Sequence, residues 1–357
     1  MRHLQSDYMH FAKFRAGATY DLATSGVKDC ALEDLGLTWD DLALHGPNAS
    51  GYGPLMEIVA ARFGVARACV VMPGGGASFA NHLALAALVR PGDEVLVERP
   101  TYELLTDTLR YLQADIRRFD RLAADGWSLD PTPVIEALRP TTRLVVLTHL
   151  HNPSSAPASD PAIDAIAQAA ERVGARVFID ETYRELTFEP GAAATSFRPG
   201  GNIVTTSSLT KAYGVSGLRC GWILADPPLA ERMRRLNDLY GVAPPHISER
   251  MSVVAFQRLP QLKARATALV ETNRGAYRDL LGGHPALEQT MFDAGTTVFP
   301  RLTSARASWC DPTTNGPPIA VWLRNVRCTA RPYPRNNRLR NVGSTEATRS
   351  ARNRSCS

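Results

Sequence analysis

The feature that most constrains this chain is a repeated alternation. Short apolar runs end in a polar or glycine-rich turn and are followed by longer helical patterns. The runs are ACVVM (68–72), EVLVE (94–98), RLVVLTH (143–149), ARVFID (175–180), NIVTTSS (202–208) and CGWILA (220–225). Helical apolar spacing marks PLMEIVAARFG (54–64), SFANHLALAALV (78–89), a stretch from about 101 to 113, and PAIDAIAQAAERVG (161–174). Residues 227–281 read mainly as helix with a break at Ala243-Pro244-Pro245, and TTVFPRL (296–302) reads as a last strand. This order predicts an α/β fold: a mostly parallel sheet with helices on both faces. Ligands of such sheets collect at the carboxyl ends of the strands.

Composition narrows the class further. With 357 residues, 44% hydrophobic and 21% charged, the chain is globular and long enough for two domains or one large α/β unit. The six cysteines (30, 69, 220, 310, 328 and 356) include no CxxC pair, so neither a zinc site nor a redox motif is expected. Reduced thiols and a start without an apolar signal core point to the cytoplasm. No apolar stretch approaches the length of a membrane span.

The strand ends carry the polar residues. The first gives Gly74-Gly75-Gly76-Ala77-Ser78 at the start of a helix, where bare N–H groups can cradle phosphate. A tight turn needs the same glycines. The next gives His149-Leu150-His151-Asn152-Pro153; its two histidines have no third ligand nearby, so no metal is expected. The third gives Asp180-Glu181-Thr182-Tyr183. A carboxylate there is either a helix cap or the partner of a buried cation. The fourth is a serine- and glycine-rich loop holding Lys211, one of only four lysines, and Arg219.

Taken together these residues resemble the class I/II aminotransferases, the fold-type I enzymes that use pyridoxal 5'-phosphate. The segment Ser208-x-x-Lys211-x-x-Gly214-x-x-Gly217-x-Arg219-x-Gly221-Trp222 is similar to that family's cofactor-lysine signature. His151-Asn152-Pro153, Asp180-x-x-Tyr183, Pro100-Thr101-Tyr102, Gly76-Ala77-Ser78 and Gly51-x-x-x-Leu55 match further family segments in family order. The resemblance covers about residues 20–302. It implies that Lys211 forms the aldimine with the cofactor and moves the proton at the substrate Cα. It implies that Asp180 pairs with the pyridinium nitrogen and that Tyr183 and Asn152 bond the phenolate oxygen. Tyr102 would stack on the ring. Ser208, Arg219 and the turn Gly76-Ala77-Ser78 would hold the phosphate, and Gly26 would lie near the substrate carboxylate. The implied reaction moves an amino group from an α-amino acid to a 2-oxo acid, in a homodimer, with no nucleic-acid or membrane partner. A lyase or decarboxylase on the same cofactor would use the same residues. A ligand-sensing regulator would need a DNA-binding domain ahead of the fold.

Two departures stand out. Many relatives carry a tyrosine where this chain has Gly46, next to His45. After Leu302 the text changes character. Residues 304–357 hold ten arginines, no lysine and two acids, a charge of +8 that leaves −3 for residues 1–303 of a chain with net charge +5. We read this tail as the product of a reading-frame change near residue 303, which would leave the small domain incomplete and the product defective. A basic nucleic-acid or membrane arm is the competing reading. The expected layout is an N-terminal arm and part of the small domain (1–49), a cofactor-binding large domain (50–240), the rest of the small domain (241–303) and the Arg-rich tail (304–357).

Overall fold

Residues 5–14, 24–187, 195–282, 284, 287–288 and 290–302 are described by a computed structural model. The chain divides into two units, Met1–Pro317 and Pro318–Ser357. All described residues belong to the first, and the Arg-rich tail lies outside them.

In chain order the elements are α1 (Asp7–Phe14), α2 (Leu32–Leu35), α3 (Gly53–Phe63), β1 (Val70–Val71), α4 (Gly76–Leu88), β2 (Glu94–Arg99), α5 (Glu103–Tyr111), β3 (Asp115–Asp120), α6 (Pro131–Ala137), β4 (Thr142–Thr148), α7 (Asp160–Arg172), β5 (Arg176–Asp180), β6 (Ile203–Ser208), α8 (Thr210–Tyr213), β7 (Gly221–Leu224), α9 (Pro227–Asn237), α10 (His246–Gln257), α11 (Leu259–Gly282), β8 (Leu287–Glu288) and β9 (Arg301–Leu302). The first seven strands form one sheet in the order β1-β7-β6-β5-β4-β2-β3. Strands β2 to β6 pair in parallel, and β7 runs antiparallel to both β6 and β1. The mostly parallel sheet read from the sequence is therefore present.

The strands are apolar on both faces because helices cover both. Val95, Val97, Leu144, Val146, Phe178 and Val204 pack with α4 and α9. Their neighbours Leu96, Val145, Leu147, Val177 and Ile179 point the other way, onto α6 and α7. A third cluster joins α3, Trp222, α10 and α11. Local sequence starts and stops the helices. Asp130 accepts from the Thr132 N–H at the head of α6, and Ser159 accepts from the Ala162 N–H at the head of α7. Gly64 ends α3 in the left-handed region.

Three expectations need correction. ACVVM contributes only Val70–Val71 to the sheet, after a 3-10 turn at Arg67–Cys69. TTVFPRL is not a strand beyond Arg301–Leu302. The Ser155 hydroxyl takes both the Thr297 carbonyl and the Thr297 N–H, and Pro300 has no N–H to give. Finally, DIRRFD forms β3, which the apolar pattern missed. It is an edge strand of the sheet, so its charges face solvent or pair across to the next strand, as Arg117 does with Glu94 of β2 at 3.0 Å.

Candidate active site

Register sets the site. Thr148, Asp180 and Thr206 lie side by side at the carboxyl ends of β4, β5 and β6, and Ser208 lies opposite Gly221. Asp180 is buried. Its Oδ1 accepts from the Thr182 N–H at 3.0 Å and from the Thr182 hydroxyl, and its Oδ2 accepts from Asn81 Nδ2 at 2.7 Å. Asn81 is held in turn by the Thr206 hydroxyl. Burial pushes the Asp180 carboxyl above its ordinary range, and these donors and Lys211 work against that.

Lys211 sits on the short helix α8, directly after β6. Its Nζ donates to Ser25 Oγ at 3.0 Å. Burial, and next the Arg219 charge, pull the amine below the ordinary lysine value; Asp180 and Asp29 oppose them. The segment 24–30 lies across this lysine. The Val27 N–H donates to Lys211 O at 3.0 Å, and the Cys30 N–H donates to Gly214 O at 2.6 Å. Gly26 lies against the lysine stem: a Cβ there would meet Lys211 Cδ at 3.3 Å.

The glycine turn and the arginine come together as one cradle. The Gly76 N–H donates to Arg219 O, and Arg219 Nη2 donates to Gly75 O, each at 2.7 Å. Two glycines make the room. A Cβ on Gly76 would stand 2.9 Å from the Arg219 guanidinium, and one on Gly221 would stand 2.4 Å from the Gly76 carbonyl carbon. Ala77 and Ser78 open α4 immediately beside them. Ser208 is fully buried one strand away, with Oγ accepting from the Thr210 N–H at 3.3 Å.

Three aromatic and amide residues complete the set. Tyr102 heads α5 and lies edge-on to Tyr8, with ring centroids 5.8 Å apart; its hydroxyl also meets Ser78. Burial, first of all, pushes the Tyr102 and Tyr183 hydroxyls well above the usual tyrosine value. The Tyr183 hydroxyl meets Ser25. Asn152 is half-buried in the turn after β4, with its N–H on Thr148 Oγ1 at 2.9 Å. The two histidines of that turn are buried. His151 bonds Ser154 and the Pro100 carbonyl, and burial pushes both His149 and His151 down to about 3. Among the described residues no group of His, Cys, Asp or Glu could hold a metal.

Sequence reading missed Ser25, Asn81 and Glu98. The pair Ser25-Gly26 signals no more than a turn. Asn81 showed no signal, because a polar residue inside an apolar helix is legible only once its strand partners are known. Glu98 is wholly buried and accepts from Arg121 and from both the N–H and hydroxyl of Thr148. It thereby braces the turn that presents Asn152.

The sheet order and the convergence of a half-buried lysine, a buried aspartate and an arginine-backed helix start define the fold of the fold-type I pyridoxal-phosphate enzymes. A PLP-dependent aminotransferase structure from Streptococcus suis superposes with a TM-score of 0.74 over 84% of this chain and 82% of that one, at 22% identity. The model for "Aminotransferase class I and II" matches residues 46–293, and the chain belongs to that family. Capreomycidine synthase of Streptomyces vinaceus is 28% identical over 74% of this chain and 68% of its own. Arginine–pyruvate transaminase AruH of Pseudomonas aeruginosa is 27% identical over 63% of this chain. The chain spans only 58% of that transaminase's length. No described helix is long and apolar enough to cross a membrane.

Proposed function

We propose that this protein is a pyridoxal-phosphate-dependent aminotransferase that moves an amino group from an α-amino acid to a 2-oxo acid, with Lys211 as its cofactor lysine. One observation carries the reading: the Lys211 amine, the buried Asp180 carboxylate and the Arg219–Gly76 cradle converge at one sheet end. The donor set fits the cofactor. The N–H groups of Ala77 and Ser78, with Ser208 and Arg219, suit a phosphate dianion. Asp180 suits a protonated ring nitrogen, and an opposite charge there keeps the carboxylate ionised despite its burial. Tyr102 offers a ring face, and Tyr183 and Asn152 offer donors for a phenolate. When bound, the cofactor supplies an electron sink for bonds to the substrate Cα.

The chain's own residues supply the rest. A lysine amine held below its usual value by burial and Arg219 has a larger neutral fraction near pH 7, and so can take a proton at Cα. Bare Gly26 leaves room for a substrate carboxylate beside it. Beyond Gly26 a cavity of about 200 Å³ is lined by Ser154, Thr297, Asn273 and Arg274, among others. Arg274 Nη2 is buried without a hydrogen-bond partner. A carboxylate-bearing substrate would meet there a guanidinium whose Nη1 already lies 3.9 Å from Asp293 Oδ1.

The same reading makes 50–240 a large domain and 1–49 with 241–303 a small one, supported by the separate β8–β9 pair. It takes the protein as a cytoplasmic homodimer. The apolar side chains of Trp39, Leu44, Leu239 and Val242 are exposed and suit a second copy. A second reading is favoured by a relative named as a synthase rather than a transaminase: a reaction on the same cofactor other than amino transfer. A lyase or decarboxylase would belong to that group.

The test is an absorbance spectrum of purified protein with added pyridoxal phosphate, wild type beside Lys211→Ala. The expected result is a visible band in wild type only, lost on borohydride reduction with Lys211 labelled. No band, or a label elsewhere, overturns the assignment. An amino-acid panel scanned for oxo-acid formation with and without an acceptor then separates the two reactions.

A further inference from the structure

We infer that Ser25 is a further catalytic residue: its hydroxyl holds the free amine of Lys211 and fixes the direction from which that amine takes and returns the substrate proton. The inference rests on the proposed role of Lys211.

Three contacts place the hydroxyl. Lys211 Nζ donates to Ser25 Oγ at 3.0 Å, and the same hydroxyl meets Tyr183. The Ser25 carbonyl accepts from the Thr296 hydroxyl at 2.8 Å. The backbone behind Ser25 is pinned to the lysine's own helix and to α11. The Val27 N–H reaches Lys211 O, and Arg265 Nη1 and Nη2 donate to the carbonyls of Lys28 and Asp29 at 3.0 and 2.8 Å. Ser25 therefore approaches the amine from the segment that also carries Gly26, where the substrate carboxylate is proposed to lie. No side chain at 26 stands between the hydroxyl and that space.

The proton balance is simple. The neutral Nζ forms an N–H bond as the substrate Cα–H bond breaks, and the electron pair stays with the substrate. The resulting ammonium has three N–H groups. One goes to Ser25 Oγ. The other two remain for the substrate side, and the proton returns from the same nitrogen. A hydroxyl that accepts from the ammonium favours the charged form. The charged groups facing the amine are Arg219, which lowers its pKa, and Asp180 and Asp29, which raise it. A change at Ser25 leaves all three in place.

The first experiment uses the cofactor-free full chain. Reductive methylation of Lys211 is followed against pH by peptide mass spectrometry in wild type, Ser25→Ala and Ser25→Thr. Only four lysines need to be resolved. Removing the acceptor is expected to lower the labelling midpoint by about one pH unit, with Thr restoring it. The second uses the cofactor-loaded enzyme and a substrate amino acid in deuterium oxide. Exchange at Cα is expected to fall about tenfold or more in Ser25→Ala, with KM little changed and Thr again restoring it. An unmoved midpoint or unchanged exchange in Ser25→Ala overturns the inference. Should Ser25→Ala not fold, Ser25→Cys is held to the same two outcomes. The labelling needs no cofactor. A failure of the Lys211 assignment shows in the borohydride test, and a failure of the Ser25 contact shows in the midpoint.

Discussion

The two sides of Lys211 are built differently. On the sheet side, Asp180, Asn81 and Thr206 form a closed hydrogen-bonded set among buried strands, and Gly221 touches the start of α4 backbone to backbone. On the other side, the segment 24–30 and the residues 290–302 are tied by a handful of bonds through Lys211 O, Thr296 and Ser155. The sheet side has one arrangement, because any shift breaks packing as well as hydrogen bonds. The other side is a strap that can yield without unfolding the sheet. Under the proposed function, that division gives a rigid seat for the cofactor and an adjustable wall for the substrate.

The division can be broken by measurement, starting where the effect is largest. Gly221→Ala forces a methyl to 2.4 Å from the Gly76 backbone and is expected to cost about 3 kcal/mol of stability, read by denaturant unfolding, and to abolish phosphate binding. A near-neutral result would mean that the seat is as adjustable as the strap. Asn81→Leu keeps the branched shape but strips Asp180 Oδ2 and Thr206 of their partner. A loss of about 1–3 kcal/mol is expected.

The histidine turn gives a pH signature. His149 and His151 are held down to about 3 in the folded chain, while an unfolded histidine titrates near ~6.5. As pH falls through that window only the unfolded chain takes up these protons, so the fold loses stability at up to ~1.4 kcal/mol per pH unit for each residue. Buried Asp180, Glu98 and Glu181, whose pKa values are raised, act in the opposite direction. His151→Gln should therefore flatten the acid limb relative to wild type, and identical slopes would refute the buried neutral ring. The smallest effect belongs to the strap. Thr296→Val removes one hydrogen bond, worth about 1 kcal/mol or less, yet it frees the Ser25 carbonyl. A larger change in substrate KM than in stability is expected. The reverse would place the strap with the seat.

The seat was legible in the sequence because its motifs are short and sit at the ends of apolar runs. Lys211, Asp180, Arg219 and the Gly76 turn could all be named from spacing and resemblance, and β2, β4, β5 and β6 from apolar runs. The strap was not legible. Ser25 and Thr296 meet across 271 residues, and neither lies in a periodic pattern. Edge strand β3 was hidden by its charges, and TTVFPRL looked like a strand because nothing local shows that Ser155 captures its backbone.

The contact between Gly221 and the first turn of α4 also orders events in time. The proposed phosphate seat joins a helix that starts at residue 76 to a strand that starts at residue 221. On the ribosome the first half of that seat must wait for the second. A nascent chain stopped short of Arg219 has the glycine turn and no guanidinium behind it, so under the proposed function cofactor capture is a late event in the synthesis of this protein.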